Sequence, residues 1–246
     1  CNEKDVIDTF NLITEYSAYA YEQSMAEGFI TIPGGHRVGI GGYMAGTIYD
    51  KPIVRNIRFI NFRINHHIKN CSEMIFPKLY KNNHLCNTLI ISPPGLGKTT
   101  LLRDLVYKIS ENFAGTSLCV IDERNEISAA YRDFSLNTGA FSDVVRYSYK
   151  SDALSAAVRA MRPDLIVTDE LVSAEEIEAV AACIRGGVCV IASAHLRDIS
   201  AMQASPVFGR VAEVRLFDYY IALSADEIGK VAGIYGKDLA PVYETC

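Results

Sequence analysis

The feature that most constrains this chain is the run NTLIISPPGLGKTTLLRDLVYKI, residues 87–109. An apolar, strand-like stretch passes through a short loop into an amphipathic, helix-like stretch. The loop residues Ser92, Pro93, Pro94, Gly95, Leu96, Gly97, Lys98, Thr99 and Thr100 carry the spacing of a phosphate-binding loop, GxxxxGK[ST], in its strand–loop–helix setting. Gly97, Lys98 and Thr99 match that pattern. Ser92 stands where the first glycine would be, and Gly95 adds a second flexible point. The residue types follow from the task. Successive backbone N–H groups must curl around phosphate oxygens, and Cβ atoms obstruct that approach. The positive end of the following helix favours an anion. Lys98 supplies a mobile charge for the β- and γ-phosphates, and the Thr99 hydroxyl is placed to ligate Mg²⁺. Thr100 reads as structural. ATP and Mg²⁺ are therefore the expected ligands.

From His84 onward, apolar runs alternate with helical patterns: NTLIIS, SLCVID, VVRYS, DLIVTD and VCVIASA, separated by TTLLRDLVYKISENF, SDALSAAVRAM and SAEEIEAVAACI. Continuously apolar strands alternating with helices predict a parallel sheet covered on both faces. Right-handed crossovers then bring the strand C-termini to one edge. AEVRLFDYYIALS and KVAGIY read as antiparallel strands completing the sheet. Ahead of this, residues 5–27 show a helical period ending at Gly28, Pro33-Gly34-Gly35 predicts a hairpin, IRFINFRI reads as a strand and 72–80 as a helix. The fold class is α/β, with a small, partial α+β domain over 1–84 and the α/β domain over 85–246.

Three of the predicted strand ends carry polar chemistry. DLIVTDEL ends in Asp169 and Glu170, where Asp169 would hold Mg²⁺ and Glu170 would orient the attacking water. SLCVID runs into Asp122, Glu123, Arg124 and Glu126, a cluster suited to supporting the metal, the water or a neighbouring subunit's contacts, or else a solvated loop. VCVIASAH ends in His195, placed either to sense the γ-phosphate or simply to settle a turn. Convergence of three strand ends on one crevice favours the functional reading.

Composition narrows the class further. The chain has 24 Lys and Arg against 29 Asp and Glu, a net charge of −5, so there is no overall nucleic-acid signature. The basic stretch is 51–81, with Lys51, Arg55, Arg58, Arg63, Lys69, Lys78 and Lys81 against Glu73. No apolar run reaches the roughly 20 residues of a membrane helix. Seven scattered cysteines without a CxxC pair read as free thiols of a reducing compartment. The chain starts at Cys1 without a secretory leader, which reads as a partial or processed sequence.

RAMRPDLIVTDELVSAEEIEAVAACIRGGVCVIASAH resembles the core of the type II/IV secretion ATPases, with Pro163, Asp164, Glu170, Gly186, Gly187 and His195 at the matching positions. That family's acidic box falls on Asp122, Glu123 and Glu126. Its usual glycine before the catalytic glutamate is Asp169 here. GFITIPGGHRVGIGGYMAGTIYDKP together with SPPGLGKTTLLRDL resembles, more narrowly, the stage III sporulation AA family of endospore formers. The resemblance implies a RecA-like P-loop NTPase core with Walker A and B motifs. It implies a cytoplasmic, membrane-peripheral motor ATPase, assembled as a homo-hexamer, that serves integral membrane channel subunits between mother cell and forespore. It also implies arginines supplied by the N-terminal domain of a neighbour. Arg58 and Arg63 are the leading candidates beside Arg37 and Arg55, and a solvated basic face is the alternative for each.

Two other functions compete. A nucleic-acid-dependent P-loop ATPase would use 51–81 on single strands, although that stretch lacks an aromatic-and-basic stacking pattern. A nucleotide-gated scaffold would bind ATP with little turnover, against which Glu170 argues.

Overall fold

The computed structural model describes the chain except residues 1, 27, 49–50, 66–67, 82–83, 114, 124, 130–137, 146–148 and 245–246, and a few further side chains, Arg55 among them. It divides into two compact units. The first is Cys1–His66 with Ala129–Leu136, of which Ala129 is described; the second is His67–Ser128 with Asn137–Cys246. The sequence pattern places its boundary at 84/85, where the strand–helix alternation begins; the division by packing falls at 66/67.

In the first unit, helix α1 (Glu3–Ile13) opens with a capping box in which Asn2 and Asp5 satisfy each other's backbone N–H. The single long helix expected over 5–27 is broken. Glu15 and Tyr16 take left-handed φ of 50° and 59°. A 3₁₀ turn, Ala18–Tyr21, and a short helix α2 (Glu22–Ala26) follow. Strands β1 (Phe29–Ile32), β2 (His36–Ile48) and β3 (Lys51–Arg63) form an antiparallel sheet in that order. The Pro33-Gly34-Gly35 turn joins β1 to β2 as expected, with both glycines at positive φ. Phe10, Tyr21, Met25, Ile30, Ile40 and Val54 make its core.

The second unit begins with a 3₁₀ turn at Phe76–Lys78, where a helix over 72–80 was expected. Pro77 removes a backbone donor there, and the preceding turn is held instead by Asp104, which accepts from Ser72 N–H, Ser72 Oγ–H and Asn70 N–H. A two-stranded ribbon of β4 (Tyr80–Lys81) and β5 (His84–Leu85) precedes the main sheet. The main sheet is built from β6 (Thr88–Ser92), β7 (Leu118–Ile121), β8 (Ser142–Val145), β9 (Leu165–Leu171), β10 (Cys189–His195), β11 (Tyr219–Leu223), β12 (Val231–Gly236) and β13 (Pro241–Glu244). Helices α3 (Lys98–Asn112), α4 (Lys150–Met161), α5 (Ala174–Arg185), α6 (Ile199–Ala204) and α7 (Gly209–Glu213) connect them.

The strand order is β13-β12-β11-β6-β10-β9-β7-β8, parallel from β11 to β8. β11 thus runs parallel to β6, not antiparallel as its place near the chain end suggested, and only β12 and β13 close the sheet antiparallel. AEVRL, expected as strand, is the end of α7 and the turn after it. The two-faced burial is read directly along the central strands. Leu89 and Ile91 join one apolar layer while Ile90 joins the other; Ile166 and its neighbours Leu165 and Val167 divide the same way, as do Val190, Ala192 and Ile191. Asn87 sets the entry of three strands: its backbone N–H and side-chain amide donate to Asp218 before β11, and its Oδ1 accepts from Val190 in β10.

Among the described residues, Cys71, Cys86, Cys119, Cys183 and Cys189 are free, with burial raising the Cys119 and Cys189 thiols to about 11 and about 12; Cys1 and Cys246 lie outside the described residues. No described helix is long and apolar enough to cross a membrane.

Candidate functional site

The parallel strands bring the ends of β6, β10, β9 and β7 to one edge. In register, Ser92 lies opposite His195, Ser193 opposite Glu170, and Ile121 opposite Thr168. The loop Pro93–Gly97 leaves β6 at this edge, and α3 starts from Gly97, a left-handed N-cap with φ 94°. Gly95 is left-handed too, and a Cβ there would face open space. Its conformation, rather than crowding, demands glycine. Leu96 C=O accepts from Gly229 N–H at 3.0 Å, which ties the loop to the turn between β11 and β12.

Lys98 lies in this loop, 6% exposed, and does not turn into apolar packing. Its ammonium donates to Ser92 C=O at 2.8 Å, Pro93 C=O at 2.9 Å and Ser92 Oγ at 3.1 Å. Burial pushes its pKa down to about 8, partly offset by the nearby Glu170 carboxylate. Ser92, fully buried, thus adds a hydroxyl acceptor for the lysine beside the backbone carbonyl that the motif's glycine would also offer. Thr99 and Thr100 fill the second and third positions of α3, half-buried.

Two strands from β6, on β9, Asp169 is 4% exposed and its carboxyl is raised to about 6. Burial is the main cause; Lys150 pulls the value down, and Asp122 and Glu126 push it up. Lys150 Nζ stands 2.9 Å from Asp169 Oδ1 as an ion pair, and among the described residues no backbone N–H or hydroxyl donates to either carboxylate oxygen of Asp169. Next along the strand, Glu170 Oε1 lies 3.0 Å from His195 Nδ1. His195 is therefore placed against the glutamate.

Asp122 ends β7 quite differently. It is fully buried and accepts from the backbone N–H groups of Glu126, Ile127 and Ser128 and from Ser128 Oγ. It closes the acidic loop on itself. Arg103 of α3 fastens the loop from outside, donating to the carbonyls of Glu126 and Ile127. Glu123 points to the site, with Oε2 4.0 Å from Lys150 Nζ; Arg124 lies outside the described residues.

Lys150 and Arg103 escaped the sequence reading. A lysine at the first position of a helix opposes the dipole there, and that mismatch is the signal that marks Lys150. Arg58 and Arg63 fall in the first unit, on β3: Arg58 is exposed, 3.5 Å from Glu3, and Arg63 pairs in register with Arg37, which sits over the Phe29 ring. Arg55 is also on β3, its side chain outside the described residues.

The described residues contain no cluster of three or more His, Cys, Asp or Glu that would hold a metal on protein ligands alone. A hard cation bound through phosphate oxygens, one hydroxyl and one carboxylate needs no such cluster. The unsatisfied, buried carboxylate of Asp169 fits that demand, with Thr99 as the hydroxyl.

A family profile described as "Sporulation stage III, protein AA" matches residues 1–240. The chain belongs to the stage III sporulation protein AA family. Stage III sporulation protein AA of Bacillus subtilis (strain 168) is 37% identical over 231 residues, covering 92% of this chain and 75% of that protein. Among solved structures, the ATPase DotB of Legionella pneumophila superposes with a TM-score of 0.63 at 16% identity, over 96% of this chain and 70% of that one. The pilus retraction motor PilT, solved with bound ADP, gives 0.53 at 16% identity, over 86% and 64%. At that identity the likeness establishes the fold, a RecA-like α/β fold. The sporulation-family match includes the loop, the acidic strand ends and His195, so the site lies within the span the family shares.

Proposed function

We propose that this sporulation-family chain is a Mg²⁺-dependent ATP-hydrolysing motor. The observation that carries the reading is the meeting, at one sheet edge, of Lys98 on its loop, the unsatisfied Asp169 and the Glu170–His195 pair. The loop amides and the start of α3 bind the triphosphate. Lys98, now resting on Ser92 and Pro93 oxygens, transfers its donors to phosphate oxygens as they enter. Thr99 and Asp169 hold Mg²⁺, which when bound neutralises charge on the β- and γ-phosphates. Glu170 orients the attacking water and takes its proton, while His195 fixes the carboxylate's direction. Glu123 stands beside this centre as a further acid.

In this reading the chain assembles as a homo-hexamer, and Arg58 or Arg63 of a neighbour stabilises the transferring phosphoryl group. The motor works in the cytoplasm, peripheral to the membrane, on integral channel subunits of the sporulation apparatus. Family membership supports the sporulation setting, and the fold supports a motor.

The test combines nucleotide titration with phosphate release. Lys98→Ala should weaken ATP binding about 100-fold or more, and unchanged affinity defeats the loop assignment. Glu170→Gln should bind ATP normally but turn over about 10²–10⁴-fold more slowly; wild-type turnover removes its role. Stimulation of turnover by single-stranded nucleic acid would shift the reading to the nucleic-acid motor.

A further inference from the structure

Lys150 is 4% exposed, and its ammonium is surrounded by the acidic strand end. It lies 2.9 Å from Asp169 Oδ1 and 4.0 Å from Glu123 Oε2, and it donates to the main-chain carbonyls of Asp169 and Glu170. Nothing on its own helix calls for it: a cation at the start of α4 faces the positive end of the dipole. Burying an ammonium there is tolerated only because the strand end compensates it. Among the described residues Asp169 pairs with this one cation and accepts from no backbone N–H or hydroxyl. The carboxylate read as the metal ligand is therefore already covered by a positive charge attached to the protein, and a second carboxylate stands about one ångström farther from that charge.

We propose that Lys150 is a tethered counter-ion: it covers Asp169 until a divalent cation arrives with nucleotide, then gives up Asp169 and moves to Glu123. Two cations on one buried carboxylate repel each other, so occupancy by one weakens the other. Lys150 is a positioning residue, because it touches Asp169 and the Glu170 carbonyl rather than the reacting phosphate. The gain is conditional assembly. While Lys150 holds Asp169 and the Glu170 carbonyl, the strand end is fixed in a resting arrangement, and metal loading releases it. Glu123 thereby acquires a defined task, as the second resting place of the lysine.

This inference rests on the Mg²⁺–nucleotide reading above, and the experiment separates the two. The full chain is saturated with ADP, and Mn²⁺ binding is followed through the electron paramagnetic resonance of the free ion. If the wild-type resting arrangement is dominant, Lys150→Met removes the competitor and tightens Mn²⁺ about tenfold. Glu123→Gln removes the second resting place and should loosen Mn²⁺ about threefold by the same population argument. Lys150→Arg keeps the charge and should bind Mn²⁺ no more tightly than wild type. A Lys150→Met protein that binds Mn²⁺ equally or more weakly overturns the proposal. A second measurement reads the wild-type protein and uses a substitution only to assign the signal. In wild-type protein carrying ε-¹³C lysine, the Lys150 signal, assigned by its absence in Lys150→Arg, should shift when Mg²⁺ is added at constant saturating ADP. A signal that Mg²⁺ leaves in place also overturns the proposal. Wild-type protein that binds no Mn²⁺ with ADP overturns the Mg²⁺–nucleotide reading itself, and the counter-ion role with it.

Discussion

Asp122 and Asp169 end neighbouring parallel strands, and both are almost completely buried. In sequence they look alike: an apolar run, an aspartate, then a glutamate. In the structure they are opposites. Asp122 accepts four hydrogen bonds from its own loop, whereas among the described residues Asp169 accepts none from backbone or hydroxyl and faces one ammonium. A satisfied buried carboxylate builds structure; an unsatisfied one is available to a ligand. The lesson is that role follows from how an acid's lone pairs are used, not from where it falls in a motif.

The sharpest way to break that comparison is to neutralise each acid in turn. Asp169→Asn should lower ATP turnover about 10²–10³-fold, the cost of losing charge aimed at the reacting centre. Its effect on folding should stay below about 1 kcal/mol when Lys150→Met accompanies it, so that the buried ammonium is not left without its nearest carboxylate. Asp122→Asn should do the reverse in kind. It presents an NH₂ to donors that need an acceptor, and should destabilise by about 3 kcal/mol. Urea unfolding and phosphate release on these proteins decide the matter. Equal losses of stability would mean that hydrogen-bond satisfaction does not separate the two sites.

The Glu170–His195 pair gives a smaller effect and sharpens the same contrast on the open side. His195→Ala leaves Glu170 in place and removes the imidazole 3.0 Å from its Oε1. Turnover should fall about tenfold, less than the roughly 10²–10⁴-fold of a group that transfers the proton itself because His195 acts through Glu170, with nucleotide affinity unchanged. If nucleotide affinity falls in step with turnover, His195 contacts the phosphate and does not act through Glu170.

How much of this was legible beforehand depends on the range of the chemistry. The loop from Ser92 to Thr100 is local, and its glycines, lysine and threonine announced the element that carries them. The strand ends Asp169, Glu170 and His195 were equally plain, because parallel α/β order delivers them to one edge. Lys150 was not, since its partner Asp169 lies 19 residues away on another element and the sequence shows only a lysine before a helix. Parallel pairing of β11 with β6 was also hidden: it is set by Asn87 holding Asp218, a contact spanning 131 residues. The break in the first helix is hidden for the opposite reason. Glu15 and Tyr16 adopt left-handed backbone without the glycine or proline that usually signals it.

A third buried aspartate extends the comparison to a place remote from catalysis. Asp104 of α3 is 1% exposed and, like Asp122, is satisfied by its surroundings. Burial raises its pKa, but the Ser72 hydroxyl, the Ser72 and Asn70 amides and Lys108 outweigh that and leave it below the ordinary value of 3.8. A carboxyl whose pKa is depressed by folding gives stability that is present above its unfolded value and lost as pH falls through its folded one. Asp104→Asn should therefore cost about 1–2 kcal/mol at neutral pH. The gap between wild type and variant should close only below about pH 4, where the wild-type carboxyl also loses its charge. Urea midpoints taken from pH 7 down to the acid limb test this directly. A gap that persists unchanged in acid would show that Asp104 acts through shape and neutral hydrogen bonding, and charge would then not distinguish it from an asparagine.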